Sequence, residues 1–396
     1  MEYLPDFFQG ILLENLKDGD LSKLSSESEY YNDIQFSNSK LNEMKDLLNL
    51  KEISNMEKYN KLIKITDVIL SEELDFMRSG ISSFEYFSRQ TFPNLKKLYL
   101  KYSNLSSFEG LSEKIFPNLE KLDLSLSDIS SFKGLSGKIF PNLKKLKLYR
   151  NKISSFQALF GEIFSNLELL DLENNEIESF EGLLPGIFPN LKKLYLGSNQ
   201  ISSFERLLPG IFPKIEKLNL YDNKITSLKG IPENAFPNLK DLDLDSNKIS
   251  SFKELSGKTF HKLEILKLAS NQITSFKELF GKKFPNLKEL YLNRNQITSF
   301  EGLFRNTFPK LEILTLIDNQ ITSLEGLSRK IFPKLKILSL WDNPISSFEG
   351  LSEETLPNLK ELHLDNNQIS LLKESLEEIF INLKNRSIVR RYLSLI

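Results

Sequence analysis

The sequence contains no cysteine, only two histidines and a single tryptophan among its 396 residues. Without cysteine the chain cannot form a disulfide, present a thiolate nucleophile or bind zinc through sulfur. It also lacks an excess of one charge, because 52 lysines and arginines are balanced by 53 aspartates and glutamates. This balance argues against a general nucleic-acid or membrane-surface binder. We therefore expect no nucleic-acid partner, no membrane partner, no metal and no cofactor.

The amino-terminal region lacks a long apolar run. The chain begins Met1-Glu2 and reaches Asp6 early, with no basic stretch ahead of an apolar one. This pattern differs from a secretory signal peptide, and no apolar run in the chain is long enough to span a membrane. Together with the absence of cysteine, it predicts an intracellular protein of the cytoplasm or the nucleus.

Leucine recurs with a fixed period from about residue 92 to residue 372. One leucine or isoleucine recurs at a spacing of 119 − 95 = 24 residues without an insertion, at Leu95, Leu119, Leu143, Leu167, Leu191, Ile215, Leu239, Leu263, Leu287, Leu311, Leu335 and Leu359. Such a period is typical of a stacked array, in which neighbours must pack together to bury the apolar residues of each repeat. Within a repeat, Leu146 and Leu148 alternate as in a short strand with one apolar face.

An asparagine follows the strand pattern in most repeats. Its amide can bond backbone groups that a turn leaves unpaired, so the asparagines should stack as a ladder. The ladder positions are Asn151, Asn175, Asn199, Asn223, Asn247, Asn271, Asn295, Asn319, Asn343 and Asn367. Ser103 and Ser127 take this place in the first two full repeats, which predicts a looser amino-terminal end. A stack of phenylalanine rings is expected at Phe116, Phe140, Phe164, Phe188, Phe212 and Phe236.

The repeat pattern closely resembles the leucine-rich repeat. From Leu143 to Phe164 it reads L-x-x-L-x-L-x-x-N-x-I-x-x-F-x-x-L-x-x-x-x-F, and the half-repeat at Ile345 to Leu351 is similar to the phosphatase-regulator class. The resemblance implies an α/β solenoid over 71–375, a horseshoe with a parallel concave sheet and short 3₁₀ or α turns on its convex side. A helical amino-terminal module and a carboxy-terminal cap complete the expected architecture. The implied function is protein–protein interaction.

Residues 1–34 do not follow the repeat and resemble the F-box, the helical module that docks substrate receptors onto the Skp-type adaptor of SCF ubiquitin ligases. Apolar residues fall at helical spacing, and Pro5 suits a first helical turn. By resemblance, the adaptor would contact Leu4, Pro5, Phe8, Ile11, Leu16 and Leu21. Glu27 departs from the pattern, because an apolar residue usually stands four places before the aromatic at Tyr31. The alternative is a helical cap that seals the array.

Two further segments flank the array. Residues 35–70 predict a helical connector, with apolar residues at helical spacing. Residues 376–396 predict a capping helix with a basic side at Arg386, Arg390 and Arg391, which we interpret as a solvated face; a partner-binding tail is the alternative.

The outward face of the predicted strands carries the candidate binding residues. One column alternates in sign from Lys96 and Glu120 to Glu312 and Lys336, which we interpret as a ladder that fixes the register of the repeats. The neighbouring columns are irregular, and their aromatic, aliphatic and acidic residues suit a protein partner better than solvent. The predicted partner-binding set is Tyr99, Tyr149, Tyr195, Tyr221, Tyr291, Ile313, Ile317, Ile337, Trp341, Asp171, Glu173 and Asp243. The alternative is that the aromatics pack flat on one another.

Catalytic motifs find little support in the sequence. His261 replaces a repeat proline, and His363 lies beside Asp365 without a marked serine or cysteine partner. Gly257-Lys258-Thr259 ends like a phosphate-binding loop, but Phe252 stands where that motif needs its first glycine.

We expect a non-enzymatic protein, monomeric outside its complex. The favoured function is an F-box substrate receptor that binds its target on the concave face; the alternative is a scaffold or regulator, phosphatase-regulator-like or a host-targeting effector.

Overall fold

A computed structural model describes residues 71–371, apart from 89–90, 160–162, 233–234, 254–258, 278, 280–283, 304–306, 328–329, 349–350 and 352–354, together with a strand at 387–389. The F-box-like segment at 1–34, the connector at 35–70 and most of the predicted cap at 376–396 lie outside the described residues. The chain divides into two compact units, Met1–Leu148 and Tyr149–Ile396, which we call the first and the second unit.

Each unit contains a parallel sheet of three-residue strands in sequence order. In the first unit the described strands are β1 (Glu73–Asp75), β2 (Lys97–Tyr99), β3 (Lys121–Asp123) and β4 (Lys145–Lys147). In the second unit they are β5 (Leu169–Asp171), β6 (Lys193–Tyr195), β7 (Lys217–Asn219), β8 (Asp241–Asp243), β9 (Ile265–Lys267), β10 (Glu289–Tyr291), β11 (Ile313–Thr315), β12 (Ile337–Ser339), β13 (Glu361–His363) and β14 (Ser387–Val389). The predicted solenoid of stacked strands is thus confirmed.

Side chains alternate along each three-residue strand, so the middle residue faces the core. The middle residue of each strand from β2 to β13 is a leucine that is almost fully buried, as Leu314 is between Ile313 and Thr315. Adjacent strands pair residues 24 apart, so Leu314 lies between Leu290 and Leu338. A leucine at the same place in every repeat therefore makes a continuous core beneath the sheet, and the first and third strand residues face outward.

The asparagine ladder joins the repeats of the second unit through buried side chains. Asn271 Nδ2 donates to the carbonyls of Leu268 at 3.2 Å and Leu244 at 2.9 Å, and its Oδ1 accepts from the Ile249 amide at 2.9 Å. The same three bonds recur at Asn199, Asn223, Asn247, Asn271, Asn295, Asn319 and Asn343. Each amide thereby satisfies backbone groups of two repeats, as the pattern predicted.

Serine takes the ladder position in the first unit and makes fewer bonds. The hydroxyls of Ser103 and Ser127 lie 2.8 Å apart and bond each other. Ser79 occupies the same position one repeat earlier, and its hydroxyl is buried without a hydrogen-bond partner. The looser end that these serines predict is consistent with this poorer bonding, but it stays a prediction.

The residue before each ladder position has a left-handed backbone. From Arg78 to Asp342 these residues have φ between 51° and 60°, and none of them is glycine. This conformation costs an ordinary residue about 1–2 kcal/mol. The turn compensates because the residue's amide bonds a carbonyl of the next repeat, as Ser270 bonds Asn293 at 2.8 Å.

Phenylalanine rings stack from repeat to repeat inside the core. Phe116 and Phe140 stack with 6.3 Å between ring centroids, and Phe308 and Phe332 stack at 5.9 Å. The pairs Phe164–Phe188 and Phe212–Phe236 stack in the same way, so the predicted ring column is confirmed within each unit. The segments after the ladder residues are mainly turns, with 3₁₀ helices at Phe84–Phe87 and Gln157–Leu159 in the described part of the chain.

The carboxy-terminal repeat departs from the prediction in two ways. Asn367 is exposed, and the ladder place is taken by Gln368, whose Nε2 donates to the carbonyls of Leu340 and Asn343 at 3.0 Å each. The ladder prediction is wrong at Asn367 because helical backbone begins at residue 366. It turns the side chain of Asn367 outward and that of Gln368 inward. The predicted capping helix is wrong over Ser387–Val389, which forms β14 and pairs in parallel with β13. The spacing there is 387 − 361 = 26 residues instead of 24.

Candidate functional site

The outward face of each sheet has three columns of side chains. The first column holds the first residue of each strand, the second column holds the third residue, and the third column holds the residue two places beyond the strand. A fourth column, one residue before the strands, carries the predicted charge ladder. Within it Lys240 bonds Glu216 at 3.0 Å and Lys288 bonds Glu264 at 2.8 Å. Such exposed pairs contribute little stability, and their role in fixing the register of the repeats stays a prediction.

An apolar patch lies on β11, β12 and the residues that follow them. The isoleucine–tryptophan patch consists of Ile313, Ile317, Ile337 and Trp341, all half-buried, and strand pairing puts Ile313 beside Ile337. Thr315 lies between these residues in the second column. It is only 9% exposed, and its hydroxyl has no hydrogen-bond partner. The structure thus brings four of the sequence-predicted residues together on adjacent repeats.

A cluster of carboxylates lies on β8 and just beyond it. We call Asp241, Asp243 and Asp245 the aspartate cluster. Lys217 Nζ donates to Asp241 Oδ2 at 2.6 Å, and Lys267 Nζ donates to Asp243 Oδ2 at 3.2 Å. The second oxygen of Asp241, Oδ1, is buried and unpartnered. Two lysines therefore neutralise part of the cluster and leave it acidic.

Asp245 has the most perturbed carboxyl of this cluster. Burial first, and then the charge of Asp243, raise the pKa of Asp245 to about 6, although the Ala269 amide donates to its Oδ1 at 2.6 Å. Glu173 belongs to the same acidic region: burial and the charges of Asp171 and Asp243 raise its pKa. Asp171 Oδ1 accepts from the Glu173 amide at 3.2 Å, which fixes the turn after β5.

The tyrosines of the second unit lie outward but are half-buried. Tyr291 Oη donates to Glu289 Oε2 at 2.7 Å, and burial, aided by this bond, raises the pKa of Tyr291 to about 12. Burial also raises the pKa of Tyr195. Any side chain at Gly197 would collide with the ring of Tyr221, so this glycine lets the ring lie over the neighbouring repeat. Sequence reasoning missed Gly197, although its place one repeat before Tyr221 in the same column could have indicated it.

Two predicted tyrosines contact cations. In the first unit, Lys121 Nζ donates to Tyr99 Oη at 3.1 Å and lies 4.5 Å from the ring centroid. In the second unit, the guanidinium of Arg150 lies 5.6 Å from the Tyr149 ring centroid. Both rings are half-buried and point outward, as predicted, but each is engaged by its neighbour. Tyr99 belongs to a different unit from the remaining predicted residues.

His363 has a serine partner that sequence reasoning missed. Ser339 Oγ and His363 Nδ1 lie 3.1 Å apart, and His363 Nε2 lies 3.2 Å from Glu361 Oε2. The signal was available, since Ser339 and His363 occupy the same column one repeat apart. A nucleophile must reach its substrate, but Ser339 is only 3% exposed. The arrangement therefore links β12 to β13.

Neither a metal site nor a membrane span is found in the part of the chain that the structure describes. There, no group of three or more histidine and carboxylate side chains is placed to hold a metal ion, and this includes the aspartate cluster. Over the same residues, no helix has the length and apolar character needed to cross a bilayer.

Comparison with known proteins identifies the repeat. A family model described as "Leucine Rich repeats (2 copies)" matches residues 165–209, 213–257, 261–305, 285–329, 309–353 and 333–378, which together exceed half of the chain. No curated protein matches the chain in sequence.

Solved structures share the fold. The leucine-rich repeat domain of APL1B is 20% identical with a TM-score of 0.60, over 87% of this chain and 96% of that one. A chain of the LRIM1/APL1C complex is 20% identical with a TM-score of 0.61, over 82% of this chain and 57% of that one. A chain of the TLR13–ssRNA13 complex is 26% identical with a TM-score of 0.57, over 79% of this chain and 49% of that one.

Proposed function

Because the chain belongs to the leucine-rich repeat family, we propose that it is a non-enzymatic interaction protein whose outward sheet face binds another protein. The observation that carries this proposal is the isoleucine–tryptophan patch on adjacent repeats of the second unit. Apolar side chains grouped on a surface mark interaction sites, and tryptophan is a favoured anchor. The similar fold of LRIM1 and APL1C occurs in a complex, which supports the same class of function.

The test compares two truncations of large apolar side chains. Trp341→Ala removes the anchor of the patch, whereas Leu208→Ala removes a side chain that is 41% exposed and lies outside the three columns. We expect proteins captured by the tagged full chain to be retained by Leu208→Ala and lost with Trp341→Ala, while circular dichroism stays unchanged for both. Equal capture by the two variants would argue against this face as the binding site.

We further propose that residues 1–34 act as an F-box and make the chain the substrate-recognition subunit of an SCF-type ubiquitin ligase. The pattern from Leu4-Pro5 to Leu21, directly ahead of leucine-rich repeats, favours this function. In this proposal the chain performs no chemistry itself: it holds a bound protein near the ligase and raises the effective concentration of the two. This function would place the protein in the cytoplasm or the nucleus.

A binding experiment with a purified Skp-type adaptor separates this function from a plain scaffold or regulator. We expect the wild-type chain to retain the adaptor, Leu4→Ala/Pro5→Ala to lose it, and Ser37→Ala in the connector to behave like wild type. If the wild type fails to retain the adaptor, the ligase function is wrong, and the scaffold or regulator, phosphatase-regulator-like or host-targeting, takes its place. The test with Trp341→Ala is independent of this result.

A further inference from the structure

Charge on the outward face of the second unit is strongly one-sided, although the whole chain is nearly neutral. The three columns from β5 to β13 hold three lysines, which are Lys193, Lys217 and Lys267. They hold eight carboxylates, which are Asp171, Glu173, Asp241, Asp243, Asp245, Glu289, Glu361 and Asp365. The corresponding columns of the first unit are basic, with Lys97, Lys101, Lys121, Lys145 and Lys147 against Glu73, Asp75 and Asp123. A partner of the second unit should therefore carry positive charge.

Lysines of the same face leave the carboxylates only partly compensated. Lys217 and Lys267 bond two members of the aspartate cluster, but Asp241 Oδ1 is buried without a partner. Asp245 accepts from a backbone amide instead of a cation. A guanidinium or ammonium group brought to this cluster would gain charge-assisted bonds that the chain itself does not supply.

A second and independent feature lies on the same face. The isoleucine–tryptophan patch surrounds Thr315, whose hydroxyl is unpartnered although the residue is only 9% exposed. A buried hydroxyl without a bond costs stability, and the Thr315 hydroxyl lies beneath the apolar side chains of the patch instead of at its surface. The patch thus offers half-buried isoleucines and a tryptophan on adjacent repeats, which suit an apolar side chain of a bound polypeptide.

We propose that the outward face of the second unit binds an extended basic segment of a protein, with cationic side chains on the aspartate cluster and an apolar side chain on the isoleucine–tryptophan patch. This inference rests on the proposed protein-binding function. β8 is separated from β11 by three strand intervals and from β12 by four, and each interval is about 4.8 Å. At roughly 3.4 Å per extended residue, the apolar anchor lies about four to six residues from the basic group.

The test uses fluorescent peptides and the full chain. The probe peptide has Lys-Arg-Lys, a four-residue Gly-Ser spacer and Phe-Leu; its binding is followed by anisotropy and by emission of Trp341, the single tryptophan. One control peptide has Glu-Asp-Glu in place of the basic group, one has serines in place of Phe-Leu, and one has no spacer. We expect the probe to bind at least about tenfold more tightly than each control, with an affinity that falls as salt rises.

Matched protein variants locate the site. Asp241→Asn/Asp243→Asn/Asp245→Asn removes the charge of the cluster, whereas Glu205→Gln/Glu301→Gln removes two exposed carboxylates that pair with Lys229 and Lys277 outside the three columns. We expect the cluster variant to lose about tenfold in affinity and much of the salt dependence, and the control variant to bind like wild type. Circular dichroism checks that the variants are folded. The control peptides test the same inference with the wild-type chain, so the test does not depend on a variant that folds.

Any of three results would overturn the inference. Equal binding of the basic and acidic peptides would show that the carboxylates do not select a basic partner. Tighter binding of oligouridylate than of the probe at this face would show that the face prefers a nucleic acid to a basic peptide. If no peptide binds while Trp341→Ala still abolishes capture of a protein partner, the basic segment is wrong and the proposed function stands. If Trp341→Ala has no effect on either, the proposed function fails as well.

Discussion

Replacing Asn271 with alanine tests the physical basis of the array. Asn271 is 7% exposed and makes four bonds: its Nδ2 donates to the carbonyls of Leu268, Leu244 and Ala269, and its Oδ1 accepts from the Ile249 amide. Alanine would leave the buried Ile249 amide unpaired, and it would remove one of the two amide bonds to each of the Leu244 and Leu268 carbonyls, which Asn247 and Asn295 also bond. Each buried, unsatisfied backbone group costs roughly 1–3 kcal/mol. With about 0.5–1.5 kcal/mol added for each bond lost at a carbonyl, and with some relaxation of the turn, we expect a loss of about 2–4 kcal/mol in the free energy of unfolding.

The neighbouring Gln272 supplies the control. Its side chain is exposed, and its backbone amide bonds the Ile249 carbonyl at 2.9 Å, a bond that alanine would keep. Gln272→Ala should therefore change stability by less than about 0.5 kcal/mol. Asn271→Ser, which mimics the first unit, should lie between the two, because a hydroxyl can replace some of the bonds.

Urea unfolding measures these differences by far-UV circular dichroism and by the emission of Trp341, which reports on the second unit. Agreement of the two signals is needed before a single free energy is assigned, since repeat arrays can unfold in parts. A loss below about 1 kcal/mol for Asn271→Ala, or an equal loss for Gln272→Ala, would refute the view that the buried amides hold the repeats together.

Three other predictions follow from single positions. Gly230→Ala should destabilise the chain by roughly 2 kcal/mol more than Gly210→Ala, because both have positive φ (85° and 73°) but only at Gly230 would a methyl group lie 2.6 Å from the Glu205 Cα; equal melting temperatures would contradict this. Asp245 has a folded-state pKa raised from 3.8 to about 6, so its stabilising contribution is complete below pH 3.8 and is lost as pH rises through 6. After discounting for partial exposure, this loss is about 1–2 kcal/mol, and Asp245→Asn should remove it when urea midpoints are compared at acidic and neutral pH; an unchanged pH dependence would oppose it. Gln368→Ala should cost about 1–3 kcal/mol, because the buried Asn343 carbonyl loses its bond and the Leu340 carbonyl keeps only the bond from Asn343, measured by thermal unfolding beside the exposed control Asn367→Ala; similar values for both would count against the role of Gln368.

The regular part of the fold was predictable because it depends on local residues that recur. A leucine at every strand centre, an asparagine after it and a phenylalanine beyond are enough to place the core, the ladder and the ring stack. The outward orientation of Trp341 and the tyrosines followed from the same alternation. Their role in binding remains a prediction, because it depends on a partner and not on the period.

The errors fall where the period gives no information. Asn367 has the right residue type in the right phase, yet the helix that begins at 366 rotates it outward and brings Gln368 in. β14 was missed because its spacing from β13 is 26 residues, outside the repeat. The contact of Ser339 with His363 was missed because its partners are 24 residues apart in the sequence and belong to no known local motif.

Equal spacing also determines how this chain can change length. Deleting residues 248–271 would join Asn247 to Gln272 and set β10 beside β8 with every amide still opposite its carbonyl. A deletion one residue shorter would turn the leucines of the next strand toward water, since side chains alternate along a strand. Whole modules can therefore be added or removed without disturbing those that remain, whereas a small insertion in a strand would shift its side chains to the wrong face. The outward face of the second unit can therefore lengthen or shorten only in steps of one strand.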